Sequence, residues 1–114
     1  MKKTTVRIGH RDYTISFVEN LKDEGVCLKE FSHDYEKGWI KIKTGRSDID
    51  YANAMFHEIL HAIFTERGLI YSTKTEEKIV LAMTNGIIDF IRDNPRFFKR
   101  LLNLLKVTPA PAGE

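Results

Sequence analysis

The sequence predicts an α+β domain in which a short N-terminal antiparallel sheet is followed by three helices. Three observations carry this. Up to Lys43, polar and apolar residues alternate in short runs, the period of half-buried strands. From Ser47 onward, apolar residues recur at spacings of three and four, the period of amphipathic helices. Between those helices stand Gly68 and the pair Asn94-Pro95, residue types that stop helices.

Taken in order, Thr4 to Ile8 and Tyr13 to Val18 alternate, with Gly9-His10-Arg11-Asp12 as a hairpin turn between them. Glu19 to Gly25 is charged and reads as a loop or a single helical turn. Val26 to Phe31 alternates weakly and is read as a strand, and Ser32 to Gly38 as a polar turn. Trp39-Ile40-Lys41-Ile42-Lys43 is a clear strand with isoleucines inward and lysines outward. Ser47-Asp48-Ile49-Asp50 has capping-box spacing and starts helix one, which runs to about Arg67 and stops at Gly68. Helix two is expected from Thr75 to Asp93, with Thr75-Glu76-Glu77 as its cap and acidic first turn. Gly86 in its interior is read as a close-contact point where helix two crosses helix one. Helix three begins at Pro95 and carries Phe97, Phe98, Leu101, Leu102, Leu104 and Leu105 to about Val107. Residues 1–107 make one domain, and 108–114 form a Pro/Ala/Gly tail expected to be disordered.

Composition narrows the partners. Lys and Arg number 18 against 16 Asp and Glu, so the charge balance makes no case for nucleic acid or a membrane as the main partner. The single cysteine, Cys27, excludes an internal disulfide and fits a reducing cytoplasm. Met1-Lys2-Lys3 is followed by a polar stretch rather than the apolar core of a signal peptide. The expectation is a cytoplasmic protein. Arg92, Arg96, Lys99, Arg100 and Lys106 gather towards the C-terminus, either as a solvated face or as a patch for nucleic acid or an acidic partner.

The stretch that carries chemistry is His57-Glu58-Ile59-Leu60-His61, an H-E-x-x-H inside helix one. Residues four apart share a helix face, so His57 and His61 can hold one metal ion from adjacent turns. Glu58 sits beside the first histidine, where it can accept a proton from a metal-activated water. That is the zincin metallopeptidase arrangement. The flanking apolar residues Ala52, Phe56, Ile59 and Ile63 suit a buried active-site helix. Two histidines leave a catalytic zinc short of a third protein ligand, and the candidates are Glu76, Glu77, Cys27, His10 and His33. A glutamate at the start of the next helix is attractive, because an antiparallel neighbour returns alongside helix one. Glu77 heads the stripe Val80, Thr84, Ile87, Ile91, and Glu76 heads a neighbouring one, so periodicity barely separates them. Cys27 reads as a small core residue, and His10 and His33 as turn residues facing solvent.

The run Phe56 to Phe64, then Glu76-Glu77-Lys78-Ile79-Val80, Asn85-Gly86 and Arg92-Asp93-Asn94-Pro95, resembles small zinc metallopeptidases of phages and integrated elements. These are distant relatives of the ImmA/IrrE and SprT-like minimal gluzincins. The resemblance covers residues 39–96 and is loose before them. It implies a minimal zincin-like fold, Zn2+ as cofactor, Glu77 as the third ligand beside His57 and His61, and a bacterial host cell as the setting. No cysteine-rich ribbon follows the second helix, which departs from the SprT-type pattern.

The expected function is therefore zinc-dependent hydrolysis of peptide bonds in a protein substrate, such as a regulator, with Glu58 as general base. The strand Trp39 to Lys43 is the expected sheet edge for an extended substrate. Tyr51, Tyr71 and His33 are the candidates to stabilise the oxyanion. The alternative is a non-catalytic phage accessory or interaction protein in which zinc only stabilises helix packing. A nucleic-acid binder lacks both a motif and a basic composition.

Overall fold

The computed structural model describes residues 1–23, 25–31 and 36–106. The elements are β1 (Thr4–Ile8), β2 (Arg11–Val18), β3 (Gly25–Phe31), β4 (Glu36–Lys43), α1 (Asp48–Glu66), α2 (Thr73–Asp93) and α3 (Pro95–Leu104). The fold is α+β, sheet first and helices after. His33 and residues 108–114 lie outside the described residues.

The alternation in the strands does what its period requires. Ile8, Tyr13, Ile15, Ile40 and Ile42 all point to one face and form a core with Ala54 and Ala62 of α1. Val6, Phe17, Cys27, Tyr51, Met55 and Ile59 surround that core. The β1–β2 hairpin is tighter than expected, because Ile8 pairs with Arg11 and only Gly9 and His10 form the turn. Gly9 takes a φ of 61°, the left-handed region that a two-residue hairpin needs.

The pairing differs from the expected antiparallel sheet. Strand order is β1-β2-β4-β3, and β4 runs parallel to β2 while pairing antiparallel with β3. Alternation tells which face of a strand is buried but not which strand lies beside it or in which direction. Here β3 runs along the outside and returns the chain as β4 into the middle of the sheet, supplying the crossover that parallel neighbours need. The expected substrate edge, Trp39 to Lys43, is therefore an interior strand with partners on both sides. The edge strands are β1 and β3.

Parallel register sets Tyr13 opposite Gly38. A Cβ on Gly38 would stand 2.2 Å from the Tyr13 ring, so only glycine leaves room for the ring at this position of β4. The Tyr13 hydroxyl donates to Glu66 Oε1 at 2.8 Å, and Arg11 Nε donates to the same oxygen at 2.6 Å. Burial, followed by the Glu66 carboxylate, raises the Tyr13 phenol above its ordinary range. These bonds tie the last turn of α1 to the start of β2.

The helix boundaries follow local chemistry. Ser47 Oγ accepts from the Asp50 amide at 3.3 Å, capping α1 as its spacing predicts. At the other end Gly68 has φ 68°, its amide bonds Thr65 and the Leu69 amide bonds Phe64, the paired bonds of a Schellman stop. Helix α2 begins two residues before the expected cap at Thr75, because Ser72 comes first and its Oγ accepts from the Thr75 amide at 3.2 Å. A second cluster, Leu60, Phe64 and Val80 with Ile79 and Ile87, joins α1 to α2. Gly86 corrects another expectation. It is exposed, and a Cβ there would meet nothing within 4 Å, so it marks no crossing point.

The two glycines should therefore respond oppositely to alanine. Gly38→Ala, which drives a methyl into a buried ring, should cost about 2 kcal/mol or more. Gly86→Ala, in an open helix interior, should gain about 0.5–1 kcal/mol. Urea denaturation of the two variants reads both signs, and a destabilised Gly86→Ala would contradict the open helix face.

Candidate metal centre

Helix α1 serves two neighbours with two stripes. Ala54, Glu58 and Ala62, spaced by four, turn towards the sheet, where the two alanines join the core. Asn53, His57 and His61, also spaced by four, turn towards α2. Asn53 Nδ2 donates to Asn85 Oδ1 at 3.2 Å, while His61 lies against Glu76 and Glu77. One contact moves down α1 as the other moves up α2, so the two helices run antiparallel. Ala52, Phe56 and Ile63 are not the buried flank the sequence suggested, since Ile63 is exposed and the other two are half-buried. The buried apolar positions are Ala54, Leu60, Ala62 and Phe64. An apolar-rich helix facing two neighbours has no single stripe for periodicity to find.

Glu77 bridges the two histidines. Its Oε1 lies 2.7 Å from His57 Nε2 and its Oε2 lies 2.9 Å from His61 Nε2. One ligand-type atom from each of His57, His61 and Glu77 falls within 4.8 Å of the others. The second candidate glutamate takes a different place. Glu76 Oε2 lies 2.7 Å from His61 Nδ1, on the far side of the ring from Glu77. A carboxylate at Nδ1 fixes the orientation of an imidazole and leaves Nε2 to face the shared point. Glu76, a rival ligand by its position in the sequence, is a partner of His61 instead.

Glu58 lies just beneath this cluster, only 6% exposed. A Cβ on Gly25 would stand 3.1 Å from Glu58 Cγ and 3.2 Å from its Oε2, so the first residue of β3 rests its backbone on this carboxyl. In the sequence, Gly25 is marked only as a glycine beside a weak strand. Burial pushes the Glu58 carboxyl up to about 7, His61 pulls it down, and Glu77 and Asp23 add to the rise. A carboxyl whose proton affinity is raised towards the neutral range can both take and return a proton.

The cluster opens into a cleft of about 930 Å³ between β3, α1 and α2, whose lining includes Lys22, Cys27, Arg46 and Leu81. Cys27 thus borders the cleft while its side chain packs on the core. His10 sits in the β1–β2 turn, exposed and away from the cleft. The Tyr51 hydroxyl accepts from the Gly45 amide at 3.1 Å, and its ring meets Phe17 edge-on at 5.7 Å. Tyr71 is exposed beside Phe64. Neither tyrosine is among the cleft-lining residues, so of the three oxyanion candidates none is placed at the site by the described residues. The charged donors that do line it are Lys22 and Arg46. No helix among the described residues is long and apolar enough to cross a membrane.

Comparison with protein-family models, with curated proteins and with solved structures returns no match. The reading of the site rests on the residues of this chain.

Glu58 also sets a pH dependence. In chelator-treated protein its carboxyl holds a proton more tightly folded than unfolded, so stability falls as pH rises from 4.5 to about 7 and the loss is complete above that. Glu58→Gln removes the titration. Its stability relative to wild type should rise by up to about 3 kcal/mol between pH 4.5 and pH 8. Urea denaturation at the two pH values measures this, and a difference that stays constant would contradict a buried, proton-retaining Glu58.

Proposed function

We propose that this chain is a zinc-dependent peptidase of the gluzincin type, with His57, His61 and Glu77 as metal ligands and Glu58 as general base. The observation that carries the reading is the convergence of His57 Nε2, His61 Nε2 and the Glu77 carboxylate beside a buried, proton-retaining Glu58. Two imidazole nitrogens and one carboxylate are the donor set of open catalytic zinc sites, and the donors present fit that ion. Zinc in such a site supplies Lewis acidity towards a carbonyl and acidifies a water.

The chain's own groups would do the rest. Glu58 accepts the proton of the attacking water and delivers it to the departing amide nitrogen, both within the cleft. Its burial beneath Gly25 favours the return step, because an isolated carboxylate there is poorly solvated. Glu76 holds His61 by Nδ1 so that Nε2 stays aimed at the shared point. The substrate reading moves from β4 to β3, the edge strand that borders the cleft, whose outer side pairs with no strand among the described residues. An extended peptide laid along it would gain main-chain hydrogen bonds and present a scissile bond to the cleft. A cytoplasmic protein or peptide, including a regulator, is the substrate class that suits this reading.

One observation favours a second reading, in which the metal serves structure alone. Helix α2 buries only Val80, Thr84 and Ile88, and the Glu76 and Glu77 contacts add polar ties between it and α1. A metal there would staple the two helices whether or not it did chemistry.

The two readings separate with zinc-loaded protein and unfolded casein as probe. The peptidase reading expects cleavage that a chelator stops. It also expects Glu58→Gln to keep zinc while losing at least about a hundredfold in rate. Absence of cleavage, together with a large fall in melting temperature on zinc removal, would leave the structural reading. Undiminished turnover in Glu58→Gln would exclude Glu58 as the base.

A further inference from the structure

We propose that α3 lies in the plane of an anionic lipid surface and docks the chain there. Its residues divide cleanly. Phe97, Phe98, Leu101, Leu102, Leu104 and Leu105 follow the spacing of one continuous helix face. Arg96, Lys99, Arg100, Asn103 and, in the turn that follows, Lys106 occupy the other, and no acidic residue interrupts them. An ordinary surface helix turns such an apolar face into the core. This one does so only in part: Phe98 and Leu101 are half-buried, no residue of α3 is buried, and Leu104 and Leu105 are 67% and 73% exposed. Its packing within the chain is on α2, where Phe97 meets the exposed Phe90 edge-on at 6.2 Å and extends the apolar surface.

Charge decides what covers that face. A second copy of α3 could cover the apolar face but would leave the cations unmatched, because they lie on the other face and α3 carries no carboxylate to pair them. Nucleic acid would pair the cations but leave the phenylalanines and leucines in water. An anionic bilayer surface takes both, acyl chains against Phe and Leu and headgroups against Arg and Lys, whose long stems reach outward from the edge of the apolar face. Four cations over Arg96 to Lys106, with no acid among them, are enough to matter, since each is worth roughly a fivefold change in partition near such a surface. The near balance of charge over the whole chain conceals this local excess.

Sedimentation with vesicles of mixed phosphatidylserine and phosphatidylcholine, and of phosphatidylcholine alone, tests the proposal. The wild-type chain should sediment with the mixed vesicles, at least tenfold less with phosphatidylcholine alone, and less as salt rises. Lys99→Gln with Arg100→Gln should reduce binding to mixed vesicles by roughly twentyfold. Leu104→Gln with Leu105→Gln should reduce it as strongly. Neither pair has a buried side chain, and circular dichroism would verify that the fold persists. Equal binding to both vesicle types, or no binding to either, would overturn the proposal. So would a concentration-dependent dimer lost in the leucine variant while vesicle binding is absent, which would assign the face to a second copy.

Discussion

The constraint on which the rest depends is that one turn of α1 must satisfy two neighbours. His57 and His61 face α2 while Glu58, between them in sequence, faces the sheet. The pitch of an α-helix makes this division automatic for residues spaced as these are. What the fold adds is the neighbours themselves. The sheet supplies Gly25 above Glu58, while α1 itself keeps small residues, Ala54 and Ala62, a turn to either side. Helix α2 supplies carboxylates at its start, in reach of both imidazoles because a short connection through Gly68 and Ser72 brings it back antiparallel. Polar groups therefore gather at the α1–α2 seam and a carboxyl is left in the apolar layer beneath it.

Burying that carboxyl is unfavourable taken alone, and the direction of the Glu58 shift shows desolvation outweighing the attraction of His61. Elsewhere the fold treats buried charge differently. Glu66, at the far end of the same helix, is almost equally hidden but is met by Arg11 and Tyr13 at short range. One glutamate is fully matched and serves architecture; the other is held with a raised proton affinity next to imidazoles. Perturbation of that kind in a cleft is the pattern of a functional site more often than of a structural one.

Much of this was legible in the sequence. The alternation of Tyr13, Ile15 and Phe17, and of Ile40 and Ile42, named the inward face correctly, and Ser47, Gly68 and Pro95 marked helix ends by chemistry that needs no tertiary context. Fourfold spacing placed His57 and His61 on one face, and helix-start position made Glu76 and Glu77 candidates. What was not legible depended on long-range choices. The parallel β2–β4 pairing, and with it the displacement of Trp39 from the edge, follows from where β3 returns the chain. The distinct places of Glu76 and Glu77 depend on the rotation of α2 against α1, to which a one-residue difference in sequence is blind. Gly86 misled because a helix glycine signals either close packing or nothing, and here it is open. Gly25 was the converse, an unremarked residue that proves to cover Glu58.

In the proposed site, His57, His61 and Glu77 share one metal ion and Glu76 holds His61 in place. The most direct test is the metal content of purified, zinc-supplied protein by mass spectrometry, for wild type, Glu77→Ala and Glu76→Ala side by side. One zinc per wild-type chain is expected, and its loss in Glu77→Ala. Glu76→Ala should retain zinc at saturating concentration, with affinity weakened by about 10- to 100-fold. A wild-type chain that takes up no zinc, or a Glu77→Ala chain that binds it as tightly as wild type, would contradict this site.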